Sequence, residues 1–397
     1  MRKVCLVFCL LFLCFIHASA QIAVKGETIW TMAGENILNG VVLINSSGKI
    51  EAVGPASQIK IPADYKMISA KVVTPGLIDA HSVIGLSGYL NQPHDQMQVD
   101  QSSPIQPELR AIDAYNPEEK LIEWVRQYGV TTVHTGHAPA ALVSGQTMIA
   151  KTFGRTIDEV TLVPTAMIAV TLGEAALAQQ GRSPGTRAKE AAMIRSELVK
   201  AQSYGSKPDS SRDIRQEMWQ KVLRREIPLL VTAHKAHDIM TALRIAKEFN
   251  IRIILDGASE SYLLINEIKQ AGVPVIIHPT MYRAGGDAEN LSMETAAKLK
   301  AAGILVALQS GYETYVPKTR VVLFEAAIAA ANGLSQRDAL ATITIDAAQI
   351  LGIADRVGSI EVGKDGDLAL YDGDPFEYTT HCIGTIVNGR IASDTVR

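Results

Sequence analysis

Cysteine is nearly missing from this sequence where it could matter. Of four cysteines, Cys5, Cys9 and Cys14 crowd into the N-terminal stretch, and only Cys382 lies beyond it. One thiol closes no intrachain disulfide, so the rest of the chain must be held by its core. So placed, it reads as a small buried hydrophobe rather than a nucleophile. Charge of one sign is also scarce: 38 Lys and Arg face 41 Asp and Glu, a formal net charge of −3. That gives no electrostatic footing for nucleic acid or a membrane surface. Low-complexity tracts and short repeats are absent, and the apolar run from Val4 to Ile16 is too short to span a bilayer.

That run has another reading. Arg2 and Lys3 precede it, and Ala18-Ser19-Ala20 follows as a small-x-small cleavage site before Gln21. This predicts an export signal over residues 1–20, with a mature chain that is periplasmic or secreted and free of the membrane after cleavage. About 375 residues then remain, ample for one large domain and a satellite.

Both ends of the mature chain carry short strand patterns. Residues 21–71 include IAVKGETIW and NGVVLINSSGKIEAVGP, with a tight turn at Ser46-Ser47-Gly48. Residues 358–397 have the same texture, with a hairpin signal at Asn388-Gly389. The two ends are predicted to form one composite β-domain, a small sandwich. Between them, over 72–357, eight apolar strands alternate with helix patterns: 72–81, 130–139, 142–152, 161–170, 227–238, 251–260, 273–281 and 303–311. Gly272 and Gly303 follow helices where a left-handed cap is wanted. Ser335 with Asp338 marks a helix start. The spacing predicts βα units, an α/β fold with a (β/α)8 TIM-type barrel. The polar stretch 181–221 is helical by pattern and reads as an excursion over the barrel mouth.

Barrel chemistry sits at the C-terminal ends of strands. The segment VVTPGLIDAH ends on Asp79 and His81, two apart and so on one face. The next residue on that face is Val83. Other strand ends offer His134 and His137, then His234, His237 and Asp238, then Asp256 and Glu260, then His278, and last Gln309-Ser310-Gly311-Tyr312-Glu313. His134 and His137 are three apart, so only one of them can face the mouth.

Three ordered segments resemble the amidohydrolase superfamily, closest to its imidazolonepropionase-like branch: PGLIDAH, the helix pair DALATITIDAAQILGI (338–353), and the return strand GSIEVGKDGDLALYDGDPF (358–376). The resemblance spans essentially the whole mature chain. It implies a divalent metal, a single zinc, with His81 as the first-strand ligand and His234 as the fifth-strand ligand. It also implies gaps: Val83 for the second histidine, Ala169 near the bridging position, Gly257 for the sixth-strand histidine and Gly311 for the eighth-strand aspartate. Asp256, His137 and His278 are the candidates for a third ligand, with Asp256 the choice. A zinc site normally keeps three protein ligands. Asp79 is the expected partner orienting a nearby group.

The resulting expectation is an exported, metal-assisted hydrolase of a small molecule, cleaving a C–N bond in a cyclic amide, an imide-like ring or an N-acylated amino acid or dipeptide. Asp256 or Glu260 would move the proton, since Gly311 cannot. The loop around His94 and the 181–221 excursion would gate the pocket. Homo-oligomers are common in the superfamily. The alternative is a catalytically degenerate binding or scaffold protein on the same fold.

Overall fold

Pro75-Gly76 divides the motif strand in two. In the computed structural model, which describes residues 21–178, 181–205, 211–313 and 321–397, residues 72–81 fall in two strands, Lys66–Pro75 and Leu77–Ser82, of two different sheets. Glycine is required at the corner, because a Cβ on Gly76 would stand 2.2 Å from Thr131 Oγ1. The Gly76 N–H donates to the Asp367 carbonyl at 2.8 Å, and the Leu77 N–H to that of Gly129 at 2.9 Å. The expected export signal lies outside the described residues.

The chain ends share one seven-stranded sheet, ordered Arg390–Ser393, Cys382–Val387, Leu368–Tyr371, Lys66–Pro75, Ile22–Ile29, Ile37–Ile44 and Ile50–Pro55. Its ladder is continuous, so the hydrogen bonding is that of one sheet and not of a two-layer sandwich. Lys66–Pro75 lies at the centre, parallel to Ile22–Ile29 and antiparallel to Leu368–Tyr371. It therefore runs past the expected boundary at residue 72. Asn388 and Gly389 adopt φ of 49° and 70°, the paired left-handed residues of a type I′ turn. A buried ion cluster joins this sheet to the central one. Lys151 contacts Asp365 at 3.0 Å and also Asp367, while Lys49 and Arg356 hold Asp365 at 2.6 and 2.9 Å.

The central strands form two sheets. One runs Val306–Ala307, Val275–Ile277, Ile253–Gly257, Leu229–Ala233, Ile168–Thr171, Val143–Gln146. The other runs Leu77–Ser82, Val130–Thr135, Met148–Lys151, Thr161–Val163. From Ile168 to Ala307 the pairing is parallel. Leu77–Ser82, Leu229–Ala233 and Ile253–Gly257 are buried at every residue, as strands covered on both faces are. Gly272 and Gly303 do end helices with left-handed φ of 64° and 79°, and Ser335 Oγ accepts the Asp338 N–H at 3.0 Å.

The eight-fold parallel pattern fails at the third predicted strand. Val143–Gln146 pairs antiparallel with Ile168–Thr171, and Met148–Lys151 antiparallel with Val130–Thr135. Only residues 136–142 separate it from the preceding strand, too few for the crossover that parallel pairing needs. Nor do the described ladders close into a ring. At the far seam a lone bridge, Ser82 to Gly311, connects the two sheets. The last strand, Val306–Ala307, is very short; just past it the Leu308 N–H donates to the Thr342 carbonyl and the Ser310 N–H to the Asp79 side chain instead of extending the ladder. The observed class is mixed α/β.

The excursion is helical, as Arg187–Gly205 and Ile214–Leu223; its residues 206–210 lie outside the described ones.

Candidate active site

Two strand ends meet at an imidazole and a carboxylate. His81 closes Leu77–Ser82 and Asp256 closes Ile253–Gly257, and His81 Nδ1 lies 2.9 Å from Asp256 Oδ1. Both are buried. Thr232 Oγ1 donates to Asp256 Oδ2 at 2.6 Å, and Gln309 Nε2 donates to Oδ1 at 2.9 Å. Burial alone would push Asp256 up. The facing His81, by charge and hydrogen bond, with Thr232 and Gln309, outweighs that and holds the carboxyl below its usual range. Burial likewise lowers His81, and Asp256 reverses the sign, leaving the imidazole above its usual range. His81 Nε2 is buried with no hydrogen-bond partner among the described residues.

Asp256, expected as ligand or base, is therefore the group that orients His81. Asp79, expected in that role, bonds instead to the backbone and hydroxyl of Ser310.

A second chain of polar groups lies beside the pair. His234 Nδ1 is 2.7 Å from Ser259 Oγ, and His234 Nε2 is 3.2 Å from the Tyr312 hydroxyl. The Tyr312 ring packs 5.9 Å from the His81 ring, and Tyr282 stacks on His234 at 6.1 Å. Tyr312 also hydrogen-bonds to Tyr282, and burial first, then these neighbours, raise its phenol well above the ordinary value. Gly257, at φ +69°, makes room for the His234 ring, since a Cβ there would lie 2.7 Å from Cε1.

A cavity of about 350 Å³ opens over this group, lined by His234, Thr232, Tyr282, Tyr312, Thr171 and Asp287 among others. Its rim is tied by Arg187. The guanidinium holds Asp238 at 3.0 Å and Asp287 at 2.7 Å, and Asp287 also accepts the Glu174 N–H at 2.6 Å. One side chain of the excursion thus ties the helix Ala236–Phe249 to the segment carrying Asp287, which in turn holds Glu174. Behind it, buried Glu190 accepts the Gly173 N–H at 3.0 Å. Burial, reinforced by Asp238, pushes its carboxyl up to about 7 despite that bond.

The other sequence candidates are elsewhere engaged. Glu260 accepts from the Ala236 N–H at 2.7 Å, Asn290 Nδ2 at 2.8 Å and Lys235 Nζ at 3.2 Å, which makes it a cap for the helix Ala236–Phe249. His134 spends both ring nitrogens, on the Ala80 carbonyl and Thr147 Oγ1, each at 2.7 Å; burial takes it down to about 3. His278 is buried with Nδ1 on the Pro279 carbonyl. His94 sits in the short helix Pro93–Asp95 and is exposed. Tyr312, Tyr282, Ser259 and Thr232 had no role in the sequence reading, because no pattern marks a single tyrosine or hydroxyl at a strand end.

An acid–base pair one hydrogen bond behind a cavity wall, at the carboxyl ends of parallel strands, is the layout of an α/β enzyme. Comparison with known proteins narrows the class. Residues 213–392 match the amidohydrolase family. Imidazolonepropionase of Brucella anthropi is 23% identical over 386 residues, covering 90% of this chain and 92% of its own. A solved amidohydrolase from Thermotoga maritima MSB8 superposes with a TM-score of 0.88 at 29% identity, over 94% of this chain and 100% of its own. An adenosine deaminase from Xanthomonas campestris, solved with bound zinc, shares the fold at a TM-score of 0.56 and 14% identity, over 94% and 92%. In sequence and fold the chain is similar to amidohydrolases and, over most of its length, to imidazolonepropionases.

The zinc in that neighbour poses a fit test here. Among the described residues, no three His, Cys, Asp or Glu side chains gather as a metal-binding group. Val83 and Ala169 are buried hydrocarbon and Gly311 has no side chain. Asp256 already accepts from three groups, and both nitrogens of His234 are bonded. The expected trio of His81, His234 and Asp256 does not form a three-ligand site as arranged.

Proposed function

We propose that this protein is a hydrolase of C–N bonds in small molecules, the substrate class being cyclic amides and imide-like rings or N-acylated amino acids. The observation that carries the reading is the buried His81–Asp256 pair, one hydrogen bond behind Thr232 of the cavity wall. In this reading, water oxygen bonds to the carbonyl carbon as its proton passes to His81 Nε2, and the carbonyl π pair moves onto oxygen. The pair then returns, the C–N bond breaks, and the nitrogen leaves with the proton from His81. Asp256 steadies the imidazolium through Nδ1. The names of the relatives, imidazolonepropionase and amidohydrolase, support the same reaction type. Because the residues do not complete a metal site, no step is assigned to zinc.

Val83, Ala169 and Gly311 favour a second reading, a binding protein that uses the same cavity without turnover. A panel of five- and six-membered cyclic amides and N-acyl amino acids, assayed for ring opening or amine release and in parallel for thermal stabilisation, separates the two. Turnover lost in His81→Ala establishes the hydrolase. Stabilisation with no product for any compound establishes the binder.

The pattern over residues 1–20 supports export, with Gln21 as the mature N-terminus. Intact-mass measurement of protein from the extracytoplasmic fraction tests it; a chain still starting at Met1 there, or found only inside the cell, refutes it.

A further inference from the structure

The mismatch with a metal site has a positive side. The place between the two imidazoles is filled by a phenol. Tyr312 follows Gly311, where the resemblance would put the metal-binding aspartate. Its hydroxyl is 3.2 Å from His234 Nε2 and its ring lies against His81 and Tyr282, with centroids 5.9 and 6.4 Å away. It also lines the cavity, so a substrate carbonyl there meets it directly.

The surroundings fix its direction. Ser259 Oγ lies 2.7 Å from His234 Nδ1, and Gly257 leaves the space that sets the ring plane. If the serine hydroxyl donates to Nδ1, Nε2 carries the proton and donates to the tyrosine oxygen. The Tyr312 O–H is then left to point elsewhere. Without substrate it bonds to Tyr282; with substrate it can turn to a carbonyl oxygen. Each donor polarises the next along such a chain.

We propose that hydrolysis at this centre is metal-independent, and that the Tyr312 hydroxyl, backed by His234 and Ser259, donates the hydrogen bond to the scissile carbonyl oxygen that a metal ion supplies elsewhere. The proposal rests on the hydrolase reading and adds to it the identity of the electrophilic group. The oxygen that gains the electron pair on attack faces a fixed donor, which stabilises the developing charge. Nothing is oxidised or reduced, and water is the one co-reactant.

Two measurements test it. The mature chain, purified without chelator, is analysed for metal, and its melting temperature and turnover are followed before and after chelation and on adding zinc. Metal well below one per chain, with melting and turnover unmoved by chelator, is the expected result. One metal per chain whose removal lowers melting or abolishes turnover overturns the metal-independent step. Tyr312→Phe keeps the ring packing and removes the donor. It should lower kcat about 100-fold with KM changed less than about 3-fold. A Tyr312→Phe variant that folds normally and retains the parent kcat overturns the tyrosine's role. If the parent turns over no amide at all, the hydrolase reading falls and the role of Tyr312 with it, while the metal analysis still decides whether this centre holds an ion.

Discussion

Asp79 and Ser310 tie the first central strand to the segment after the last one. The Ser310 N–H donates to Asp79 Oδ1 at 3.0 Å and the hydroxyl donates to Oδ2. This contact spans 231 residues of sequence and lies two residues before Tyr312. With one bridge and a few backbone bonds at that seam, the Asp79 carboxylate is its main fastener. Asp79→Ala should cost about 2–4 kcal/mol, since it strands two buried donors. Urea unfolding measures it, and a loss below about 0.5 kcal/mol would mean that packing alone holds the seam.

Lys151 should matter as much at the opposite seam. Its ammonium is buried against Asp365 and Asp367. Lys151→Ala leaves buried carboxylate charge short of a partner and should destabilise by about 3–5 kcal/mol. Because Lys151, Asp365 and Asp367 are themselves buried, raising the salt concentration should change that difference little. A strong salt dependence would show that water reaches the cluster.

Glu190 gives a signed pH dependence. Its carboxyl titrates at about 7 in the folded chain against a reference of 4.5. Between these values the unfolded chain has lost the proton and the folded chain keeps it, so rising pH favours unfolding. Stability from this group is full below about pH 4.5, declines up to about pH 7, and is flat above. Glu190→Gln should flatten that window in a series of melts. An unchanged slope would assign the window to other groups.

Asp256 and Glu260 are both acidic and four residues apart, yet the structure gives them different work. Asp256→Asn should cut kcat by about 100-fold or more, because His81 loses its counter-charge. Glu260→Gln should cost about 1 kcal/mol through a weakened helix cap, with a far smaller effect on kcat. Equal losses of kcat would contradict this division.

Arg187 predicts where the rim loosens. Arg187→Ala frees Asp238 and Asp287 together, and protease cuts within 181–221 should then appear faster while cuts elsewhere do not. Unchanged cleavage there would show that the excursion is held by its apolar packing.

Much of this was legible in the residues. The α/β class, the composite sheet of the two ends and the caps at Gly272, Gly303 and Ser335 follow from pattern and turn chemistry. His81 stood out through the PGLIDAH motif and Asp256 as a carboxylate ending an apolar run, which burial makes costly unless paired; both were expected as metal ligands, and the fold pairs them with each other. The orientation of 143–151 was misread because strand patterns carry no direction; the brevity of 136–142 was the available clue. Tyr312, named at a strand end, was given no role for another reason. Its importance comes from His234 and His81, which approach it through folding and not through spacing along the chain.

The interleaving of both chain ends in one sheet has a consequence for biogenesis. Lys66–Pro75 is flanked by Ile22–Ile29 on one edge and Leu368–Tyr371 on the other. As the ribosome emits the chain, that second edge stays bare until Leu368–Tyr371 has been made, far along the sequence. A bare strand edge waiting that long is the stage at which a nascent molecule most needs shielding from its neighbours.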